Sequence, residues 1–357
     1  MTRIALLTYS SKPRGGVVHT LHLAEALARA GADVTVVSLG RGGDSAFFRP
    51  VDPSVTVSMV PFEARDDESV GARILRSIEV LGQSFSHADF DIVHAQDCIS
   101  ANAVGRCVRT IHHLDTFTTP ALAACHERAI TEPYARICVS DAVAEEVRQG
   151  WGFFPTVIPN GVESARFEQA AASGDSQWRD QLGRYVLAVG GIEPRKGSLD
   201  LLEAFALLKR PELSLVFAGG ETLFDYRTYR AEFDSRAAEL GIEPIVLGTV
   251  DNDQLPFLVA QASVLPFFST KEGFGLAAME ALAAGTPVVA RDLPVLREVF
   301  SSAVVYAAEP KSMAEKLAEA IDSGHDAEVG RALARSLTWD ESARRHVEFY
   351  SSLDRDC

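Results

Sequence analysis

Short apolar runs alternate with helix-patterned segments along this chain, and the alternation lapses after residue 162 and restarts near residue 185. A run apolar on successive positions is a strand buried on both faces, which requires helices on both sides of a parallel sheet. In the first half the runs are 4–8, 34–39, 91–95, 108–111 and 137–140. In the second they are 185–189, 213–218, 245–247, 264–267 and 288–290. A helix over 17–30 follows the first run, with Val17, Leu21, Ala24 and Ala28 at helical spacing and Gly31 as its stop. A second helix covers 199–209, and a last one, over 338–353, ends the chain. The stretch 164–183, rich in Ala, Ser, Gln and charge, reads as a linker. The expected fold is α/β: two Rossmann-like, doubly wound domains facing across a cleft, over 1–165 and 184–337. A length of 357 residues fits two cores of ordinary size.

A net charge of −15 argues against a nucleic-acid partner, because no basic stripe is present to neutralise phosphates. The amphipathic segment 66–81 is acid-rich on its polar side, so stable membrane association is not expected. The five cysteines are odd in number and form no C-x-x-C pair, which points to reduced thiols and neither a disulfide framework nor zinc. The first apolar run is too short for a secretory signal, and none reaches the roughly eighteen residues of a membrane helix. The expected location is the cytoplasm.

Four loops have residue types suited to chemistry. Gly15-Gly16 opens a helix directly after the first strand, where free amides favour an anion; a plain tight turn has the same pattern. Arg195 and Lys196 sit between Gly190-Gly191 and Gly197 after the first strand of the second half, as a phosphate clamp or a solvated charge pair. Lys271-Glu272-Gly273-Phe274-Gly275-Leu276 leads into an alanine-rich helix, with Glu280 eight positions after Glu272. A carboxylate among alanines is a liability unless a diol or a cation meets it, or it lies on the surface. The amides of 274–277 at the helix start can receive phosphate or sugar oxygens. His112-His113 with Asp115 closes a strand, as a metal site, a structural group or a substrate-facing one, and no third metal ligand follows at suitable spacing. His94-Ala95-Gln96-Asp97 ends another strand and could line the same cleft. No G-x-S-x-G, H-E-x-x-H or Walker loop is present.

In this order the motifs resemble the retaining glycosyltransferases of family 4 (group 1 glycosyltransferases), which have the GT-B architecture. The resemblance runs through Gly15-Gly16, Thr110-Ile111-His112, Val139-Ser140-Asp141 and Pro159-Asn160-Gly161-Val162. It continues through Lys196-Gly197, Ala218-Gly219-Gly220, the spaced glutamates, Gly285-Thr286-Pro287-Val288-Val289 and Thr338-Trp339-Asp340. It implies that Lys196 neutralises the donor diphosphate and Glu280 binds the ribose hydroxyls. Glu272 and the backbone of Gly273, Phe274, Gly275 and Leu276 would hold the transferred sugar. Gly16 would let the backbone approach that sugar, His112 would face the reacting carbon, and Val250 would lie against the base. The terminal segment 338–357 would pack back on the first domain. Two departures stand out: Gly191 occupies the place of a common arginine, which leaves Arg195 as the second cation, and Glu163 stands where aspartate is usual.

The implied reaction is transfer of a hexose from a nucleotide-diphosphate sugar, with retention and without metal or other cofactor. The acceptor, a small molecule, glycan or lipid-linked group, is not specified by any motif. It would be read by the loops 12–14, 94–97 and 115–119. A nucleotide-sugar epimerase of the same fold and a non-catalytic nucleotide-sugar-binding protein are the alternatives; a phosphorylase would need a pyridoxal lysine in a longer chain.

Overall fold

In a computed structural model the described residues are 1–63, 65, 68–117, 119–220, 226–323 and 326–353. They form two units, Met1–Gly161 with Thr338–Cys357, and Val162–Leu337.

The first unit is built on seven strands: β1 (Arg3–Thr8), β2 (Asp33–Arg41), β3 (Thr56–Phe62), β4 (Ile92–Ala95), β5 (Val108–Ile111), β6 (Ala135–Cys138) and β7 (Thr156–Val157). All pair in parallel, in the order β3-β2-β1-β4-β5-β6-β7. β1 is buried at every residue after Arg3, as a central strand covered on both faces must be. One face packs Ala5, Leu7, Val37, Leu39 and Val93 against Leu81 and Ala101 of the helices Val70–Gln83 and Cys98–Val104. The helix Gly15–Arg29 and the terminal helix Trp339–Ser352 belong to the same unit and pack on each other.

The second unit has six strands: β8 (Arg184–Val189), β9 (Leu213–Ala218), β10 (Ile245–Gly248), β11 (Leu265–Phe267), β12 (Val288–Arg291) and β13 (Val305–Ala307). They form two parallel triplets, β10-β9-β8 and β11-β12-β13. The triplets meet where Leu187 donates to the Val264 carbonyl at 3.1 Å and Val186 bridges Val264. Both units therefore show the strand order 3-2-1-4-5-6 of a doubly wound sheet. In such sheets ligands bind at the carboxyl ends, where the winding reverses.

Two expectations are corrected. The stretch 164–183 is not a linker: it holds the helices Ser164–Ala172 and Gln177–Leu182, anchored by the buried Phe167, Ala170 and Leu182. The segment 66–81 becomes the helix Val70–Gln83, because the Ser69 side chain accepts from the Ala72 amide at 3.2 Å and starts it there. Asp66, Asp67, Thr118 and the end of the chain from 354, Cys357 included, lie outside the described residues. The edge strands β3 and β13 are absent from the sequence reading: polar Thr56 and Ser58 break up β3, whereas Val305-Tyr306-Ala307 is a short apolar run that it passes over.

Candidate active site

In the second unit the cluster gathers at the carboxyl end of β8. The short 3-10 turn Pro194–Lys196 carries Lys196 back over Gly190, whose Cβ position would lie 3.6 Å from the lysine chain. Lys196 Nζ donates to Glu272 Oε2 at 3.1 Å and lies 5.4 Å from the Phe267 ring centroid. Arg195 Nη1 reaches the Lys271 carbonyl at 3.3 Å and Glu272 Oε2 at 3.5 Å. The lysine and glutamate side chains are only 22% and 14% exposed, so this charge pair is screened less than a surface pair. The reading of Arg195 and Lys196 as a solvated pair therefore fails.

The loop 271–275 then turns into the helix Leu276–Ala284. Gly275 supplies φ +97°, and a Cβ there would meet Phe300 at 2.8 Å, so only glycine fits the turn. That cap has no side-chain hydrogen bond, and the Ala278 and Met279 amides turn back to the Gly275 carbonyl. The earlier amides of Leu276 and Ala277 belong to the first turn, which has no intrahelical acceptor, and the helix dipole there favours an anion. Beneath the loop, a recess lined by Gly190, Gly191, Lys196 and Phe267 also contains Ser269. Its Oγ is buried and without a hydrogen-bond partner. Sequence reading missed Ser269, since nothing sets it apart from any strand-end serine.

Glu280 lies one turn into that helix. Burial pushes its carboxyl up to about 7, against the attraction of Arg166 and with repulsion from Glu163. No hydrogen bond to it occurs among the described residues, so a desolvated acceptor is held ready for donors. Val250 follows β10 and is half-buried. Gly219 directly follows β9, and a Cβ there would fall 2.2 Å from the Gly190 carbonyl carbon and 2.6 Å from the Gly191 amide nitrogen. Both are backbone atoms, so Gly219→Ala must displace the loop at Gly190-Gly191. We expect stability to fall by about 1–3 kcal/mol. Thermal unfolding of the variant checks this; an unchanged transition would contradict it.

In the first unit Gly16 lies at the start of the helix Gly15–Arg29, and a Cβ there would lie 3.8 Å from His112 Nε2. His112 is half-buried and its Nε2 has no partner. Burial, and then Arg109, His113 and His94, hold its pKa well below the usual histidine value, so the ring is neutral at pH 7. His113 Nε2 pairs with Asp115 Oδ1 at 3.3 Å. Among the described residues no group of three His, Cys, Asp or Glu is placed to hold a metal. His94 does not line a site: it is fully buried, with Nδ1 at 2.6 Å from the Tyr350 hydroxyl and Nε2 at 2.7 Å from Thr110 Oγ1. A strand-end histidine looks functional in sequence, but here the terminal helix claims it. Gln96, 1% exposed, has neither amide atom bonded, and Asp97 caps the next helix through the Ser100 amide.

The sequence matches Glycosyltransferase Family 4 over residues 13–166 and Glycosyl transferases group 1 over residues 176–335. A phosphatidyl-myo-inositol mannosyltransferase of Mycolicibacterium smegmatis is 30% identical, over 88% of this chain and 82% of its own. The chain belongs to the group 1 glycosyltransferases, family 4. A D-inositol 3-phosphate glycosyltransferase of Xylanimonas cellulosilytica is 27% identical over 98% of this chain and 96% of that relative. HepE of Anabaena, solved with UDP and glucose, superposes with TM-score 0.75 at 20% identity, covering 99% of this chain and 100% of that one. That likeness assigns the GT-B fold. In this glycosyltransferase the family motifs thus coincide with two groups of side chains that the fold assembles independently. One contains Lys196, Arg195 and Glu272, with Glu280 farther along the helix that follows, within reach of the charges of Arg166 and Glu163; the other is Gly16 with His112.

Proposed function

We propose that this glycosyltransferase moves a hexose from a nucleotide-diphosphate sugar to its acceptor with retention and without a metal. The observation that carries the reading is Lys196 and Arg195 converging on Glu272 at 3.1 and 3.5 Å beside the open amides of the helix Leu276–Ala284. Two cations and a helix start at one strand end suit a diphosphate, and the carboxylate between them suits sugar hydroxyls. Binding of UDP and UDP-glucose by HepE supports a nucleotide-sugar donor, and the named mannosyltransferase supports a hexose.

Lys196 and Arg195 neutralise the diphosphate as the anomeric carbon–oxygen bond breaks, and the helix amides receive the charge on the leaving oxygen. Glu272 and the backbone of Gly273, Phe274, Gly275 and Leu276 hold the sugar; Val250 packs on the base. His112, neutral and paired with the close approach at Gly16, hydrogen-bonds the sugar near the reacting carbon. The departing phosphate takes the acceptor proton, so the protein needs no separate base. Arg195 replaces the arginine absent at Gly191. The four cysteines described in the structure, Cys98, Cys107, Cys125 and Cys138, are free thiols, in keeping with a reducing cytoplasm.

Glu280 tests the donor assignment. With its carboxyl raised to about 7 in the empty protein, the folded state holds the proton more tightly than the unfolded chain. Its stability contribution is present below about 4.5 and lost as pH rises through about 7. Ribose hydroxyls donate to the anion, so donor binding must release that proton. Affinity for a nucleotide sugar, whose diphosphate does not titrate here, falls up to about ten-fold per pH unit below 7. In Glu280→Gln the affinity is weaker and flat with pH. A wild-type affinity flat from pH 8 to pH 5.5 would contradict the assignment.

A further inference from the structure

Gly16 and His112 stand at the carboxyl ends of the strands of the first unit; the amino edge of the same sheet has a cavity of about 580 Å³. That volume lies within the roughly 300–1,000 Å³ of small-molecule sites. The cavity is bounded by the first residues of β1 and β4, the turn at 30–32 and the end of the helix Trp339–Ser352. Ile4, Phe90, Ile92, Val347 and Leu353 form the apolar part of its lining. Val347 is itself exposed, so apolar surface is left open to solvent on this face.

Arg106 and Tyr134, also in the lining, stand just before the neighbouring strands β5 and β6, which pair Val108 with Ala135. The Tyr134 amide donates to the Cys107 carbonyl at 3.1 Å, and the Arg106 guanidinium lies 5.0 Å from the Tyr134 ring centroid. The ring thus holds the cation at the cavity wall. The other charged and aromatic polar groups of the lining are engaged. Asp91 accepts from the Arg3 amide at 2.9 Å and from Arg3 Nη2 at 3.1 Å. His87 Nε2 donates to the Val104 carbonyl at 2.9 Å, and the Tyr350 hydroxyl is 2.6 Å from His94 Nδ1. Arg106 and the Tyr134 hydroxyl have no hydrogen bond or ion pair among the described residues. Burial pushes the Tyr134 phenol above its ordinary value, so it remains a donor at neutral pH. One cation and one hydroxyl donor beside apolar walls select the ligand. A polyol would leave most of its hydroxyls unmet against Ile4, Ile92 and Val347. A cation would face an Asp91 already neutralised by Arg3, and Arg106 would repel it. A carboxylate offers acceptor oxygens to the guanidinium fork and to the phenol, and an attached apolar body is buried against the walls.

We propose that this cavity binds a small amphipathic carboxylate, its anionic group on Arg106 and the Tyr134 hydroxyl and its apolar body against Ile92 and Val347. The site is separate from the donor cluster and does not depend on the transferase reading. The test is calorimetry and ligand-observed NMR on the full chain. Indole-3-acetate and octanoate are each compared with the uncharged amide, indole-3-acetamide and octanamide, and octyl phosphate is the second anion. They are titrated into wild type, Arg106→Gln, Arg106→Lys, Tyr134→Phe and Val347→Trp, with and without UDP-, GDP- or ADP-glucose.

At least one carboxylate binds wild type about ten-fold or more tightly than its amide. Arg106→Gln removes that preference, Arg106→Lys keeps part of it, and Tyr134→Phe weakens carboxylate binding about three- to ten-fold. Val347→Trp, which fills the cavity, abolishes binding of acid and amide alike, and added nucleotide sugar changes nothing. Arg106 and Val347 are both exposed, so their variants should keep the wild-type melting temperature. If Val347→Trp does not fold, Arg106→Gln decides. The inference is overturned if neither carboxylate binds at millimolar concentration, if the amides bind as tightly, or if the preference survives in Arg106→Gln. Binding that persists in a folded Val347→Trp overturns it too, as does displacement by a nucleotide sugar, which would put the carboxylate in the donor site. Octyl phosphate binding without octanoate overturns the carboxylate assignment in favour of a phosphate ester.

Discussion

Alanine at Lys196 lowers sugar transfer by about 10²–10³-fold, the loss expected when one preorganised donor to a developing charge is removed. The ammonium is fixed by Glu272 at 3.1 Å and backed by the Phe267 ring, so it needs no rearrangement to meet a diphosphate. Its partner keeps Arg195 within 3.5 Å, so the substitution leaves no stranded carboxylate and the unit should fold normally. The amides at the start of the helix Leu276–Ala284 remain and account for residual turnover. The loss falls mainly on kcat, because the charge on the leaving diphosphate grows in the transition state. Initial rates over a donor titration check this, and an undiminished kcat in a folded Lys196→Ala enzyme would refute the role.

The second large effect is acid lability of the first unit. Its terminal helix is joined to the sheet and to the helix Gly15–Arg29 through buried imidazoles. His19 Nδ1 meets Asn160 Oδ1 at 2.9 Å, and its ring lies edge-on to His112 at 4.7 Å and to Trp339 at 5.4 Å. His346 Nδ1 meets the Ser342 carbonyl at 2.7 Å, and His94 meets Tyr350. Burial holds His346 down to about 4, and burial with mutual repulsion holds His19 and His94 well below 6.5. The unfolded chain then binds protons first, so stability is present above about 6.5 and lost as pH falls through about 4. His346 alone loses about 3 kcal/mol of stability on full acidification. Glu280, in the other unit, acts with the opposite sign. Calorimetric unfolding from pH 7.5 to pH 4.5 should therefore show the first unit melting earlier as pH falls. A transition that stays fixed over that range contradicts the buried neutral cluster.

What could be read from sequence is what local chemistry determines. β1 and β8 are legible because a strand covered on both sides must be apolar throughout, and the charge cluster of Arg195, Lys196 and Glu272 because glycine-bounded charge beside a helix start has few structural uses. The helices at 164–182 were hidden since only Phe167, Ala170 and Leu182 anchor them, too few for a periodic signal. His94 was misread because its partner, Tyr350, lies 256 positions away.

The central claim is donor-sugar chemistry at the Lys196–Glu272 pair, with Glu280 as the ribose acceptor. Its most direct test is nucleoside diphosphate release from UDP-, GDP- and ADP-sugars without acceptor, comparing wild type with Glu280→Ala. The account predicts slow release from one donor, lost in the variant, which names base and sugar together. Release from none of them, with no nucleotide or donor bound, would contradict it.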